Sequence, residues 1–132
     1  QRGLLHVTLH IQAREVHVIV VHLGLLPGSR IRQTQQLHDF IAREVPADAP
    51  LLVAGDFNDW GRAVARMMAT VGLHTNEDRP HKTYPSRLPL VQLDHVYARG
   101  VHRVATQVPR GPIWARMSDH LPLLVEFAWD SP

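Results

Sequence analysis

Apolar and polar residues alternate through Leu4-Leu5-His6-Val7-Thr8-Leu9-His10-Ile11, the period of a strand with one wet face. Residues 15–22 are more continuously apolar, with Val16, Val18, Ile19, Val20 and Val21, and the polar Gln12-Ala13-Arg14 between the two runs predicts a hairpin connection. Pro27-Gly28-Ser29 then breaks the pattern, with Ser29 suited to cap a helix over 30–45. In that helix Ile31, Leu37, Ile41 and Val45 recur near helical spacing, while Arg30, Arg32 and Arg43 are expected on its solvated face. Residues 51–55 form a short uninterrupted apolar run, as expected of a strand buried on both faces.

A second helix is expected over 61–71, with Val64, Met67, Met68 and Val71 on one side and Trp60 packed at its start. Residues 74–89 are polar and proline-punctuated, without periodicity, and read as a long loop of the kind that carries function or is disordered. Residues 91–98 and 101–108 predict a strand pair turned at Arg99-Gly100. A loop then covers 109–117 and a last strand 121–129. The order β-β-α-β-α-β-β-β, without repeats or linkers, gives an α/β or α+β class with a mixed sheet.

Composition sets outer bounds. The chain has 132 residues, 45% apolar and 20% charged, which fits one domain able to bury a core without cross-links. There is no cysteine, so thiol catalysis and thiolate metal sites are excluded. A formal charge of +2, carried mainly by dispersed arginines, does not by itself predict nucleic-acid binding. No apolar stretch approaches the roughly 20 residues that span a bilayer. No charged-then-apolar leader opens the chain, which gives a cytoplasmic expectation. Gln1-Arg2-Gly3 leads straight into strand-like sequence, so the chain reads as part of something longer.

Four polar positions stand where an apolar strand meets a loop: His22, the Asp56/Asn58 pair in Gly55-Asp56-Phe57-Asn58, Asp94, and Asp119-His120. A carboxylate beside an apolar strand is costly unless it has a cation, a metal or hydrogen-bond donors. One shared ligand is the economical explanation for several such sites in a small domain. Asp56 and Asp119 could hold a hard cation such as Mg²⁺, with Asn58 and water completing its shell. Asp94 could accept from Nδ1–H of His120 and fix its tautomer. Ordinary readings remain beside these: a turn that caps the next helix for Asp56 and Asn58, and a structural ion pair for Asp94. His95, one residue on, should point to the opposite sheet face and lie outside the site.

The pieces Val21-His22-Leu23-Gly24, Gly55-Asp56-Phe57-Asn58, Thr83-Tyr84-Pro85, Leu93-Asp94-His95-Val96 and Ser118-Asp119-His120-Leu121-Pro122-Leu123 occur in an order that resembles the endonuclease/exonuclease/phosphatase superfamily. The resemblance implies half of a DNase-I-like four-layer α/β sandwich, with a mixed, mostly antiparallel sheet and flanking helices, supplied by residues 1–132 as the C-terminal portion of one domain. It implies a Mg²⁺- or Mn²⁺-dependent phosphoesterase acting on phosphodiesters, with DNA or RNA as the leading substrates. A phospholipid phosphoesterase or an inactive binding half-domain is the alternative. By the same resemblance Asp56 orients or deprotonates the attacking water, Asn58 contacts the phosphate, and Asp119 is a metal ligand together with Asp56 and Asn58. His120 contacts the phosphate or takes a proton, Asp94 orients it, and His22 serves the leaving oxygen. Which histidine is acid and which is base stays open.

The family's amino-terminal glutamate and asparagine motifs have no counterpart here, and Glu15 and Glu44 are poor substitutes. The missing half implies a sheet face without its packing partner, and hence self-association. Thr83-Tyr84-Pro85 reads equally as a substrate-facing turn or a loop anchor. Trp114 reads equally as a pocket wall or an apolar anchor for the missing half.

Overall fold

A computed structural model describes residues 3–59 and 61–130, so the expectation for Trp60 lies outside the described residues. The main sheet runs in the order β1-β2-β3-β4, with β1 Leu4–Ile11, β2 Arg14–His22, β3 Leu51–Asp56 and β4 Asp94–Arg99. β1 and β2 form the expected hairpin through Gln12 and Ala13, both in the left-handed region. β2 and β3 are parallel, joined by α1 (Pro27–Glu44), and β3 and β4 are antiparallel. The sheet is therefore mixed, and α1 together with α2 (Ala63–Ala69) covers one of its faces.

Between sheet and helices lies one apolar core. Ile19 and Val21 of β2, Leu51 and Val53 of β3 and Tyr97 of β4 meet Leu37 and Ile41 of α1 and Val64 and Met68 of α2. Truncating any one of these large aliphatics costs about 2–5 kcal/mol. At the end of the sheet away from His22, the Arg99 guanidinium donates to the carbonyls of Val71 (2.9 Å) and Pro46 (3.2 Å), tying the segments that follow both helices to β4.

Several local expectations are corrected. α1 starts at Pro27 with Leu26 as its N-cap and no side-chain cap, so Ser29 lies inside the helix; proline at the first turn needs no N–H partner and presets φ. Thr34 takes the core position expected of Ile31, its hydroxyl donating to the Arg30 carbonyl at 2.7 Å. Ile31 is six residues from Leu37, about 120° away around the helix, and is exposed. β3 is fully buried only on its helix side. The strand pair turned at Arg99-Gly100 does not form. β4 stays in the main sheet, whereas β5 (Val101–Gln107) pairs with β6 (Leu124–Trp129) in a separate two-stranded sheet. Gly100 has φ +78°, and a Cβ there would meet Pro50 Cα at 2.9 Å, so the chain turns tightly under the α1–β3 connection and leaves the sheet. The loop expected over 109–117 contains a short helix, α3 (Pro112–Met117).

The expected uncovered face is present. Leu5, Val7, Leu9 and Ile11 of β1 and Val20 of β2 are exposed on the side of the sheet away from the helices. Among the described residues no helix is long and apolar enough to cross a membrane.

Candidate active site

Strand register builds one wall of the site. His22 is the partner of Asp56 across β2 and β3, and Asp56 is the partner of Asp94 across β3 and β4. Three adjacent strands thus end in a row of functional side chains, spaced by the roughly 4.8 Å separation of hydrogen-bonded strands. Backbone bonds hold the row past the last ladder rung, from Leu23 N–H to the Asp56 carbonyl (2.8 Å) and from Phe57 N–H to the Leu93 carbonyl (2.9 Å). Gly55 permits the close approach of β2: with φ +146°, a Cβ there would fall 1.9 Å from the Val21 carbonyl oxygen.

The second wall comes from two loops. His120, three residues beyond α3, directs Nδ1 at Asp94 Oδ2 (2.7 Å) and Nε2 toward Asp56 Oδ2 (3.6 Å). His22 Nε2 approaches the same Asp56 oxygen at 3.4 Å, so this carboxylate lies between two imidazoles. Thr83, fully buried, donates its hydroxyl to Asp94 Oδ2 at 2.6 Å, and the Tyr84 ring lies against His120 with centroids 4.8 Å apart. Ser86 N–H donates to the Asp119 carbonyl (2.8 Å) and Leu121 N–H to the Thr83 carbonyl (2.8 Å), which locks the two loops together. The Ser118 hydroxyl accepts from His120 N–H at 3.1 Å.

These elements enclose an open cleft of ≈ 490 Å³, lined by His22, Leu25, Asp56, Asn58, Tyr84, Leu93, Asp94, Ser118, Asp119 and His120. All six residues read from the sequence as site candidates line it. Burial alone pushes the His120 imidazolium down. The hydrogen bond and charge of Asp94, with the charges of Asp56 and Asp119, outweigh that and hold His120 above the ordinary histidine value. One ligand atom each from Asp56, Asp94 and His120 lies within 4.8 Å of the others, the one such group among the described residues. Carboxylate oxygens with one imidazole suit a hard or borderline divalent cation.

Asp119 stands apart from this trio. Its side chain is exposed, with Oδ1 3.4 Å from the Ser118 hydroxyl. Asn58 is buried in the left-handed region. Its Nδ2 donates to the Leu23 carbonyl at 2.6 Å and its N–H to Asp56 Oδ1 at 3.0 Å, so it ties the loop after β3 to the end of β2. Glu15 and Glu44 are not in the cleft: Glu15 pairs with His17 (3.0 Å) at the far end of β2, and Glu44 ends α1. Trp114 is on α3, outside the lining. His95 points to the helix face, as expected, beside Phe57 and 4.0 Å from Glu77. Burial lowers its pKa against the opposing charge of Glu77.

Thr83 and Tyr84 are the site residues whose place the sequence left undecided. Their signal was a Thr-Tyr-Pro turn inside a loop too long to be mere connection, and Thr83 proves to be an anchor while Tyr84 is a wall.

The chain is 34% identical over 133 residues to the uncharacterized protein YbhP of Escherichia coli, a match covering 96% of the chain and 52% of YbhP. It thus spans about half the length of the curated relatives it matches. Its fold is similar to that of a functionally unknown conserved protein from Enterococcus faecalis, with a TM-score of 0.77 at 24% identity, over 90% of this chain and 52% of that one. D. rerio TDP2, solved in complex with a single-strand DNA product, matches with a TM-score of 0.69 at 18% identity, over 96% of this chain and 62% of that one. The family model described as endonuclease/exonuclease/phosphatase matches residues 3–120. The chain belongs to the endonuclease/exonuclease/phosphatase family.

Proposed function

We propose that residues 1–132 are the C-terminal portion of a Mg²⁺- or Mn²⁺-dependent phosphoesterase that cleaves phosphodiesters, with nucleic acid as the first substrate class to test. The observation that carries this reading is the position of Asp56 between His22 and His120, with Asp94 behind His120. One acceptor-only group flanked by two proton carriers is what water attack at phosphorus with leaving-group protonation needs.

Asp56 accepts a proton from, or orients, the attacking water. His120, held by Asp94 and favoured in its protonated form, donates hydrogen bonds to a phosphoryl oxygen. His22, the more exposed of the two, is suited to protonate the leaving oxygen. Asn58 fixes the loop that carries Asp56 and lines the same cleft. Asp56 and Asp94, with Asp119 at the rim, would hold the metal. When bound, that ion supplies charge neutralisation at the phosphoryl oxygens and a lowered pKa for water. The single-strand DNA product bound by D. rerio TDP2 is what favours nucleic acid as a starting point. Against turnover by this chain alone stands the lack of any glutamate in the cleft lining.

The test is hydrolysis of bis(p-nitrophenyl) phosphate with and without Mn²⁺, alongside His120→Ala. Metal-dependent turnover that disappears in the variant supports the reading. Turnover that survives the substitution removes His120 from the mechanism. Absence of turnover in both favours a binding half-domain.

A further inference from the structure

The β1–β2 hairpin carries a second group of metal-ligating side chains, at the end of the main sheet away from the cleft. His6, Thr8 and His10 share one face of β1. Register sets Thr8 opposite His17 and His10 opposite Glu15, so His17 and Glu15 lie on that same face, with His17 between the two β1 histidines. The His17 side chain is only 7% exposed, and its Nδ1 is 3.0 Å from His6 Nε2. The His6 ring stacks on His17 with centroids 5.2 Å apart and meets Phe40 of α1 edge-on.

The other His17 nitrogen is the anomaly. Nε2 is buried and makes no hydrogen bond, although Glu15 Oε1 is 3.0 Å away. The distance suits a hydrogen bond and the alignment does not. A protonated Nε2 is then a buried donor without an aligned acceptor. A bare Nε2 is a lone pair held against a carboxylate oxygen. Both arrangements are unfavourable, and a cation relieves both. Ligand atoms about 2.0–2.2 Å from one Zn²⁺ stand roughly 3 Å apart, and neither lies on the other's lone-pair axis. His6 supplies what a metal-bound imidazole needs behind it: by accepting from Nδ1–H, it commits Nε2 to the ion. Glu15 Oε2 is 3.8 Å from His10 Nε2, and both of these side chains are more than half exposed, so His10 can swing in as a third ligand.

We infer that His10, Glu15 and Nε2 of His17 form a site for a borderline divalent cation of the Zn²⁺ class, with His6 as the residue that positions His17. Two imidazoles and one carboxylate favour such an ion over Mg²⁺, which prefers oxygen ligands. The site is separate from the cleft, because Glu15 and His22 stand near opposite ends of β2, about 23 Å apart at roughly 3.3 Å per residue. An ion there clamps β1 to β2 beside their turn. The inference does not depend on the phosphoesterase reading.

The experiment is calorimetric titration of the His120→Ala chain with Zn²⁺, paired with ¹H–¹⁵N NMR of the imidazole rings. His120→Ala removes the imidazole of the cleft, so binding there does not mask the hairpin. The expected result is one Zn²⁺ per chain, with His17 Nε2 shifted as a metal ligand while Nδ1 keeps its proton. Affinity should fall at least about tenfold in His10→Ala and in Glu15→Gln, both at exposed positions that leave the core intact. His6→Phe keeps a ring against Phe40 but removes the acceptor behind His17, and should weaken binding roughly 10–100-fold. Unchanged affinity in both His10→Ala and Glu15→Gln, coordination through His17 Nδ1, displacement of Zn²⁺ by excess Mg²⁺, binding only on dimerisation, or no binding at all would each overturn it.

Discussion

Asp94 and His120 lie 26 residues apart in the chain and 2.7 Å apart in space. Because Nδ1 of His120 is committed to Asp94, its Nε2 is the nitrogen presented to Asp56 and the cleft. The pair therefore converts a rotatable imidazole into a fixed one and stabilises its cationic form.

His120 bound to Asp94 has a pKa above 6.5 in the folded chain. A group raised on folding stabilises the native state fully below its unfolded pKa, and that contribution is lost as pH rises through the folded value. Thermal melts of metal-free protein should therefore show wild type above His120→Gln at about pH 5.5, with the gap closing toward about pH 8.5. A gap that widens with pH would contradict the sign. NMR titration should place the His120 midpoint above the ordinary histidine value, and Asp94→Asn should lower it.

Thr83→Val removes one hydroxyl from a fully buried position and leaves Asp94 with only His120 on that oxygen. A charge-assisted bond of this kind is worth about 1.5–3 kcal/mol, and loss of an orienting partner costs roughly 10–100-fold in activity. The variant should lose kcat with KM little changed. Wild-type kcat in a folded Thr83→Val protein would show that Asp94 needs no anchor.

Gly55→Ala drives a methyl into the Val21 carbonyl, so β2 and β3 must separate just below the site. The expected loss is about 3 kcal/mol or more. Gly61→Ala, with nothing within 4 Å of the new carbon, is the matched control and should change stability little. Equal melting temperatures for the two variants would refute the close-approach argument.

Glu77 is buried on the helix face, with Arg103 at 3.4 Å, His81 at 3.0 Å and Gln92 at 3.2 Å. Glu77→Gln leaves the Arg103 guanidinium without its counter-ion and should cost about 2–4 kcal/mol. Turnover per folded molecule should change little, since Glu77 itself lies outside the cleft lining. Urea denaturation and a specific-activity assay read the two halves of that statement separately.

The sequence pattern revealed what is local and missed what is not. Strand ends at His22, Asp56 and Asp94 were legible because each polar residue interrupts an apolar run, and those interruptions proved to be register partners. α3 was hidden because a six-residue helix that buries nothing leaves no apolar stripe to detect. The partners of β4 and β5 were misread because hairpin signals describe a turn, whereas pairing depends on which strand edge is free in space. Thr34 displaced Ile31 from the core because its hydroxyl finds the Arg30 carbonyl, a partner that hydropathy does not count. Thr83 could not be identified as an anchor from sequence, because its value lies in a carboxylate eleven residues away.

Since His22, Asp56 and Asp94 are aligned by backbone ladder bonds, their spacing does not depend on which aliphatic side chains fill the layer below. The core can be rewritten, provided the strands keep their register and Gly55 its lack of a side chain. In this architecture the spacing of the three groups follows from peptide geometry, whatever side chains pack beneath them.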